Sequence, residues 1–142
     1  MFRCILIIAV CISAGCRTST MGGVLAEKAR GGGSAHVYPI NSEQAWQIAV
    51  DVFRWEGSAA IEEHRDGSFM LTTFYDRQVG MSYAGVWVEP APSGTKVTCA
   101  VDGLSFSEGR FHARFAQALV FVQRGLSVPL EAPAVPAKVL LP

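Results

Sequence analysis

Four short runs of β-forming residues follow one another between positions 59 and 102, and a helix-periodic segment stands on either side of them. This order constrains the fold more than any other feature of the chain. The first run, Ala59 to His64, stops at Arg65-Asp66-Gly67, where Asp-Gly suits a tight hairpin turn. Phe69 to Tyr75 is rich in aromatic and β-branched residues, and residues 76–80 form a polar loop. Met81 to Glu89 ends at Pro90-Ala91-Pro92-Ser93-Gly94. Thr95 to Asp102 then alternates, with Val97, Cys99 and Val101 on one side and Lys96, Thr98 and Ala100 on the other. Strand-length runs joined by turn residues describe an antiparallel meander.

The flanking segments have a different period. After a short strand at His36 to Ile40, Asn41 or Ser42 can cap a helix whose first turn holds Glu43, a carboxylate placed against the positive end of the helix. Ala45, Ile48, Ala49, Val52 and Phe53 recur at the spacing of one helical face, and Gly57 is a suitable stop. Downstream, Ser105-Phe106-Ser107-Glu108 has the form of a capping box. It predicts a second helix to about Arg124, with Phe111, Phe115, Ala118, Leu119 and Val122 along one face. The element order is therefore β-α-β-β-β-β-α. Each helix needs an apolar partner surface and an antiparallel sheet offers one, so the predicted fold is an α+β two-layer sandwich with both helices on one face.

The N-terminus carries an address. Arg3 is followed by an apolar stretch, Ile5 to Ile12, and then by Ser13-Ala14-Gly15-Cys16. Charge, apolar core and small residues in that order make a secretory signal, and the apolar core is shorter than the roughly 20 residues that span a bilayer. Ser13 to Cys16 resembles the lipobox of bacterial lipoproteins, with Ser13 standing where that family prefers Leu. The resemblance implies that residues 1–15 are removed and that Cys16 becomes an acylated first residue. Arg17, in place of the Asp that favours inner-membrane retention, implies the outer membrane, facing the periplasm. The segment order, with the phrase from Ser42 to Val52, also resembles the helix-grip-like domains of the C lipoprotein of the outer-membrane β-barrel assembly machine. It carries over no functional residue.

The division that follows is a signal peptide at 1–15, a lipidated Cys16 with a flexible glycine-rich tether to residue 35, a domain over 36–125, and a Pro-rich tail over 126–142 that is extended or disordered. A coil of the tether's length spans roughly 25 Å and would let the domain hover above the membrane.

Twelve basic and twelve acidic residues balance, with no block of one sign, so the electrostatic footprint of a nucleic-acid binder is missing. Beyond Cys16 only Cys99 remains, which excludes an internal disulfide in the mature chain. Cys99 with His112 would be the one nucleophile-base pair to consider; the alternating strand favours a buried thiol and a boundary His. His36, His64 and His112 lack ligand spacing, and Glu62, Glu63 and Asp66 read as a solvated edge. No cofactor is implied.

The remaining signal is aromatic. Ala84, Val86 and Val88 suit the helix side of their strand, which turns Tyr83 and Trp87 outward. With Met70 and Phe74 these rings form a candidate docking surface, unless the tether or tail covers them. The expectation is a non-enzymatic envelope lipoprotein that binds an envelope protein or its own copy. The alternative is a carrier of a small apolar ligand or lipid in a pocket between helices and sheet.

Overall fold

The computed structural model describes residues 18–134. The expected signal peptide, residues 1–15, and Cys16 lie outside the described residues, as does the end of the tail. Five strands form one antiparallel sheet: β1 Ser34–Tyr38, β2 Ile61–His64, β3 Phe69–Asp76, β4 Gly80–Ala91 and β5 Gly94–Asp102. Their order in the sheet is β1-β5-β4-β3-β2, so β2 to β5 make the predicted meander and β1 adds to its far edge beside β5.

Two helices cover one face. The first of them in the chain, α2 (Ser42–Trp55), starts at a capping box in which the Asn41 side chain accepts from the Gln44 N–H and the Gln44 side chain accepts from the Asn41 N–H. Its predicted apolar face is buried, joined by Trp46 and Val50. The last helix, α3 (Glu108–Gln123), is capped two residues after the predicted position, Ser105. Ser107 is the cap. Ser105 instead donates its backbone N–H to Ser82 Oγ (2.7 Å). The reason lies between them: Phe106 turns into the core and stacks on Phe74 at 4.2 Å, so the chain cannot begin to coil until that ring is placed. The core between this helical layer and the sheet is filled by Ile48, Phe53, Met70, Val86, Phe111 and Phe115, among others, each with 1% exposure or less.

The chain is thus an α+β sandwich with α2 and α3 on one face, as the element order implied. The tether is where it differs. Residues Met21–Ala29 form a further helix, α1, which packs on the opposite face of the sheet and adds a partial third layer. Thr20 caps it by accepting from the Gly23 N–H (2.9 Å), and Thr20 donates its own N–H to Asp102 Oδ2 on β5 (3.1 Å). Two glycines permit the close fit. A Cβ at Gly23 would collide with the Asp102 carboxylate, and one at Gly85 would meet the Trp87 ring at 2.7 Å and Val24 at 2.9 Å. The polar, glycine-rich composition that suggested a flexible segment is what lets the helix lie flat on the sheet.

The first part of the tail is also held. Trp55 Nε1 donates to the Pro129 carbonyl (2.8 Å), Arg114 donates to the Pro133 carbonyl (2.9 Å), and Val128 packs against the core. Residues 126–134, which hold Pro129 and Pro133, form neither helix nor strand, and these contacts set them against the helical layer.

Candidate functional site

The strand pairing decides which aromatic residues share a face. Phe69 pairs with Trp87 and Thr73 with Tyr83, whereas Met70 pairs with Val86 and Phe74 with Ser82. Direct cross-strand partners point the same way. Tyr83 and Trp87 therefore face away from α2 and α3, as expected. Met70 and Phe74 face toward them, are 0% and 5% exposed, and belong to the main core. The four residues do not form one surface. The correction has a plain cause: period-two alternation groups residues by face but does not say which face meets the helices.

The outer aromatic face is itself covered. Val24 of α1, fully buried, packs with Leu71, Trp87 and Ala100, and Met21, Phe69 and Tyr83 border this small cluster. Trp87 is left 8% exposed and Tyr83 half-buried. Lys28 closes the far end, with its ammonium 5.6 Å from the Trp87 ring centre and 3.5 Å from Glu89 Oε2. Of the two covers considered for these rings, the tether supplies this one.

A polar cluster joins α3 to β1. His112 Nε2 lies 2.8 Å from the Ser34 carbonyl oxygen, where only an N–H can serve, so Nδ1 is unprotonated and accepts the Tyr38 hydroxyl at 2.8 Å. Burial holds the imidazole below its ordinary value, partly opposed by the Ser34 bond, while the neighbouring His36 ring adds to the lowering. Burial, with the Cys99 sulfur nearby, pushes the Tyr38 hydroxyl up to about 12, which keeps it a donor. The His36 ring stacks on His112 at 4.1 Å, and Tyr38 stacks on Phe115 at 4.3 Å. His112 is therefore buried, where a boundary position was expected. Cys99 is fully buried in the helix-side core, and burial pushes its thiol well above the usual range. With both ring nitrogens of His112 engaged and the thiol held protonated, this cluster fastens the edge strand to α3. Contact between His36 and His112 was not legible in the chain, because it joins residues 76 positions apart.

At the opposite edge, β2 carries charge. Glu62 Oε1 is 2.7 Å from His64 Nε2, Glu63 accepts from Trp46 Nε1 (2.6 Å), and the Arg65 guanidinium lies 4.2 Å over the Trp46 ring. A shallow cleft of about 270 Å³ opens between this strand and α2, lined by Val50, Arg54, Ala59, Ile61 and Glu63 among others. It is smaller than typical ligand pockets of roughly 300–1,000 Å³ and is partly lined by charge. The space between helices and sheet, where a carrier would hold its cargo, is occupied by the phenylalanines of the core.

The two sheet edges differ. β2 is short and charged, which are common protections against further strand pairing. β1 is five residues long, Ser34-Ala35-His36-Val37-Tyr38, with no acidic residue, Lys or Arg, and Val37 is 48% exposed on the outer face.

No family model, curated protein or solved structure matches this chain.

Proposed function

We propose that this protein is a bacterial envelope lipoprotein, exported by residues 1–15 and held at a membrane through acyl chains on Cys16, that acts without catalysis as an interaction module. In this reading it sits at the outer membrane, facing the periplasm, and receives a strand from an envelope protein or from a second copy of itself. The observation that carries the interaction is the β1 edge: among the described residues no strand pairs with its outer side, it carries no acidic residue, Lys or Arg, and it is fixed in place by Tyr38 and His112. Strand addition at such an edge takes its affinity from main-chain hydrogen bonds and its selectivity from the alternate side chains. The lipobox-like order at Ser13 to Cys16 supports the location. The aromatic outer face no longer supplies the contact, because α1 occupies it.

A photo-crosslinking residue at Val37, compared with one at Val120 on α3, tests this in intact cells. Both positions are more than two-fifths exposed. The expected result is a discrete adduct from position 37 that disappears when exposed Ala35 is also replaced by Lys, which places a charge on the edge and leaves the His36-His112 stack intact. Equal, diffuse labelling from both positions would rule out the edge as the contact.

A further inference from the structure

α1 changes what the anchor can do. If acylation at Cys16 is taken from the proposed function, only three residues, Arg17 to Ser19, separate the lipid-bearing Cys16 from Thr20, whose N–H is fixed on Asp102. Fully extended, that chain reaches at most roughly 14 Å. The domain cannot hover at the end of a coil. It must lie against the bilayer, and the surface around Asp102 must face it.

That end of the sheet has a distinct chemistry. Asp102 ends β5 and pairs with Tyr83 near the start of β4. Two residues before Tyr83, Met81 pairs with Tyr75, and Val79 lies in the turn that joins them. The loop after Asp102 carries Leu104 and is tied to Ser82, the neighbour of Met81, through the Ser105 N–H. Tyr75, Val79, Met81 and Leu104 are 70%, 48%, 42% and 83% exposed. They therefore belong to one end of the molecule, with Arg77 exposed in the same hairpin. The other end of the sheet is the β4–β5 turn, Pro92-Ser93, with no large apolar side chain. The other exposed large apolar residues among those described are Leu25 on α1, Val37 on β1, and Val120, Leu126 and Leu130 on and after α3. None of these lies on the hairpin or loop that flank Asp102, where four such side chains are grouped, and a grouped set marks a contact.

We propose that this rim rests in the headgroup region of the membrane to which Cys16 is tied. Tyr75 supplies the ring with a polar tip that favours the bilayer interface, Val79, Met81 and Leu104 supply apolar area, and Arg77 meets lipid phosphate. The acyl chains hold the protein at the membrane, and the rim fixes its orientation. In consequence the long axis of β4 stands away from the surface, and both sheet edges remain open to the aqueous side.

The inference rests on acylation, so the test must report on both. The full-length protein, extracted from membranes, is reconstituted in vesicles of phosphatidylethanolamine and phosphatidylglycerol, with an environment-sensitive fluorophore on Gln78→Cys or on Ser93→Cys. Burial of Cys99 leaves the introduced thiol as the accessible one. Quenching by lipids spin-labelled near the headgroup is expected to be several-fold stronger at position 78 than at 93, with bluer emission at 78. Replacing Val79 and Leu104 with Asp in the position-78 variant should remove the difference while leaving the far-UV spectrum and vesicle flotation unchanged. If the protein carries lipid and floats but positions 78 and 93 are quenched equally, the rim proposal is overturned and the anchor stands. If the protein carries no lipid and does not float, both are overturned.

Discussion

Val24→Asp is expected to lift α1 from the sheet while leaving the rest of the domain folded. Val24 is fully buried, and it is the one α1 residue at the centre of the outer cluster with Leu71, Trp87 and Ala100. Full burial of a Val side chain contributes about 1.5–3 kcal/mol, and an unpaired carboxylate in its place adds a desolvation penalty that the helix avoids by leaving. Once undocked, α1 does not persist, because a helix of nine residues with Gly22 and Gly23 in its first turn is unstable alone. The main core on the other face shares no buried residue with this cluster, so the loss is confined to the α1 contribution. For a domain of this size, 1.5–3 kcal/mol corresponds to a fall in melting temperature of roughly 5–15 °C. Hydrogen exchange read by mass spectrometry gives the local signature. The N–H groups of Arg30 and Gly32, which donate to the Ala26 and Glu27 carbonyls, should lose protection, whereas β4 and β5 should keep theirs. A V24D protein that melts with wild type and retains protection at Arg30 and Gly32 would refute the clamp.

Further outcomes follow from the polar contacts. His112 is held below its ordinary value of 6.5 by burial, so the unfolded chain binds the proton more readily than the folded one. Its contribution is complete above that value and is lost as pH falls through it toward the lowered folded value, so urea stability should decline on acidification across that window and His112→Gln should flatten the decline. Glu56, with its side chain 2% exposed, accepts from Arg114 Nε at 2.8 Å and lies 2.5 Å from Arg110 Nε. Glu56→Ala strands the mostly buried Arg114 guanidinium and should cost about 3 kcal/mol in denaturant unfolding, while Arg110→Ala, at an exposed partner, should cost far less. The Cys99 thiol should react with a thiol reagent only as fast as the domain unfolds, and immediately in denaturant, because burial both shields it and keeps it protonated.

What was legible in the chain was what local pattern controls. α2 shows its period of 3.6 in Ala45, Ile48, Ala49, Val52 and Phe53, and its cap in Asn41, because those residues meet one continuous core. The meander was legible because turn residues at 65–67 and Pro92-Ser93-Gly94 punctuate it, although the first link is a 3₁₀ turn, Arg65–Gly67, that closes through Ser68 in the left-handed region and not the tight Asp-Gly hairpin expected. The helix α1 was not, since its stability comes from Val24 and Met21 meeting a sheet assembled from residues 69–102, and its glycines argue against a helix until that surface exists. The sorting of Tyr83 and Trp87 from Met70 and Phe74 needed the cross-strand register, and the His36-His112-Tyr38 cluster needed the tertiary placement of α3 over β1.

The account depends most on the chemistry of a single sulfur. Intact mass and peptide mass spectrometry of the protein isolated from the cells that make it should find an N-terminal peptide that begins at Cys16 and carries a diacylglyceryl thioether and an acylated amine. An unmodified Cys16, or a mature chain that begins elsewhere, would contradict it.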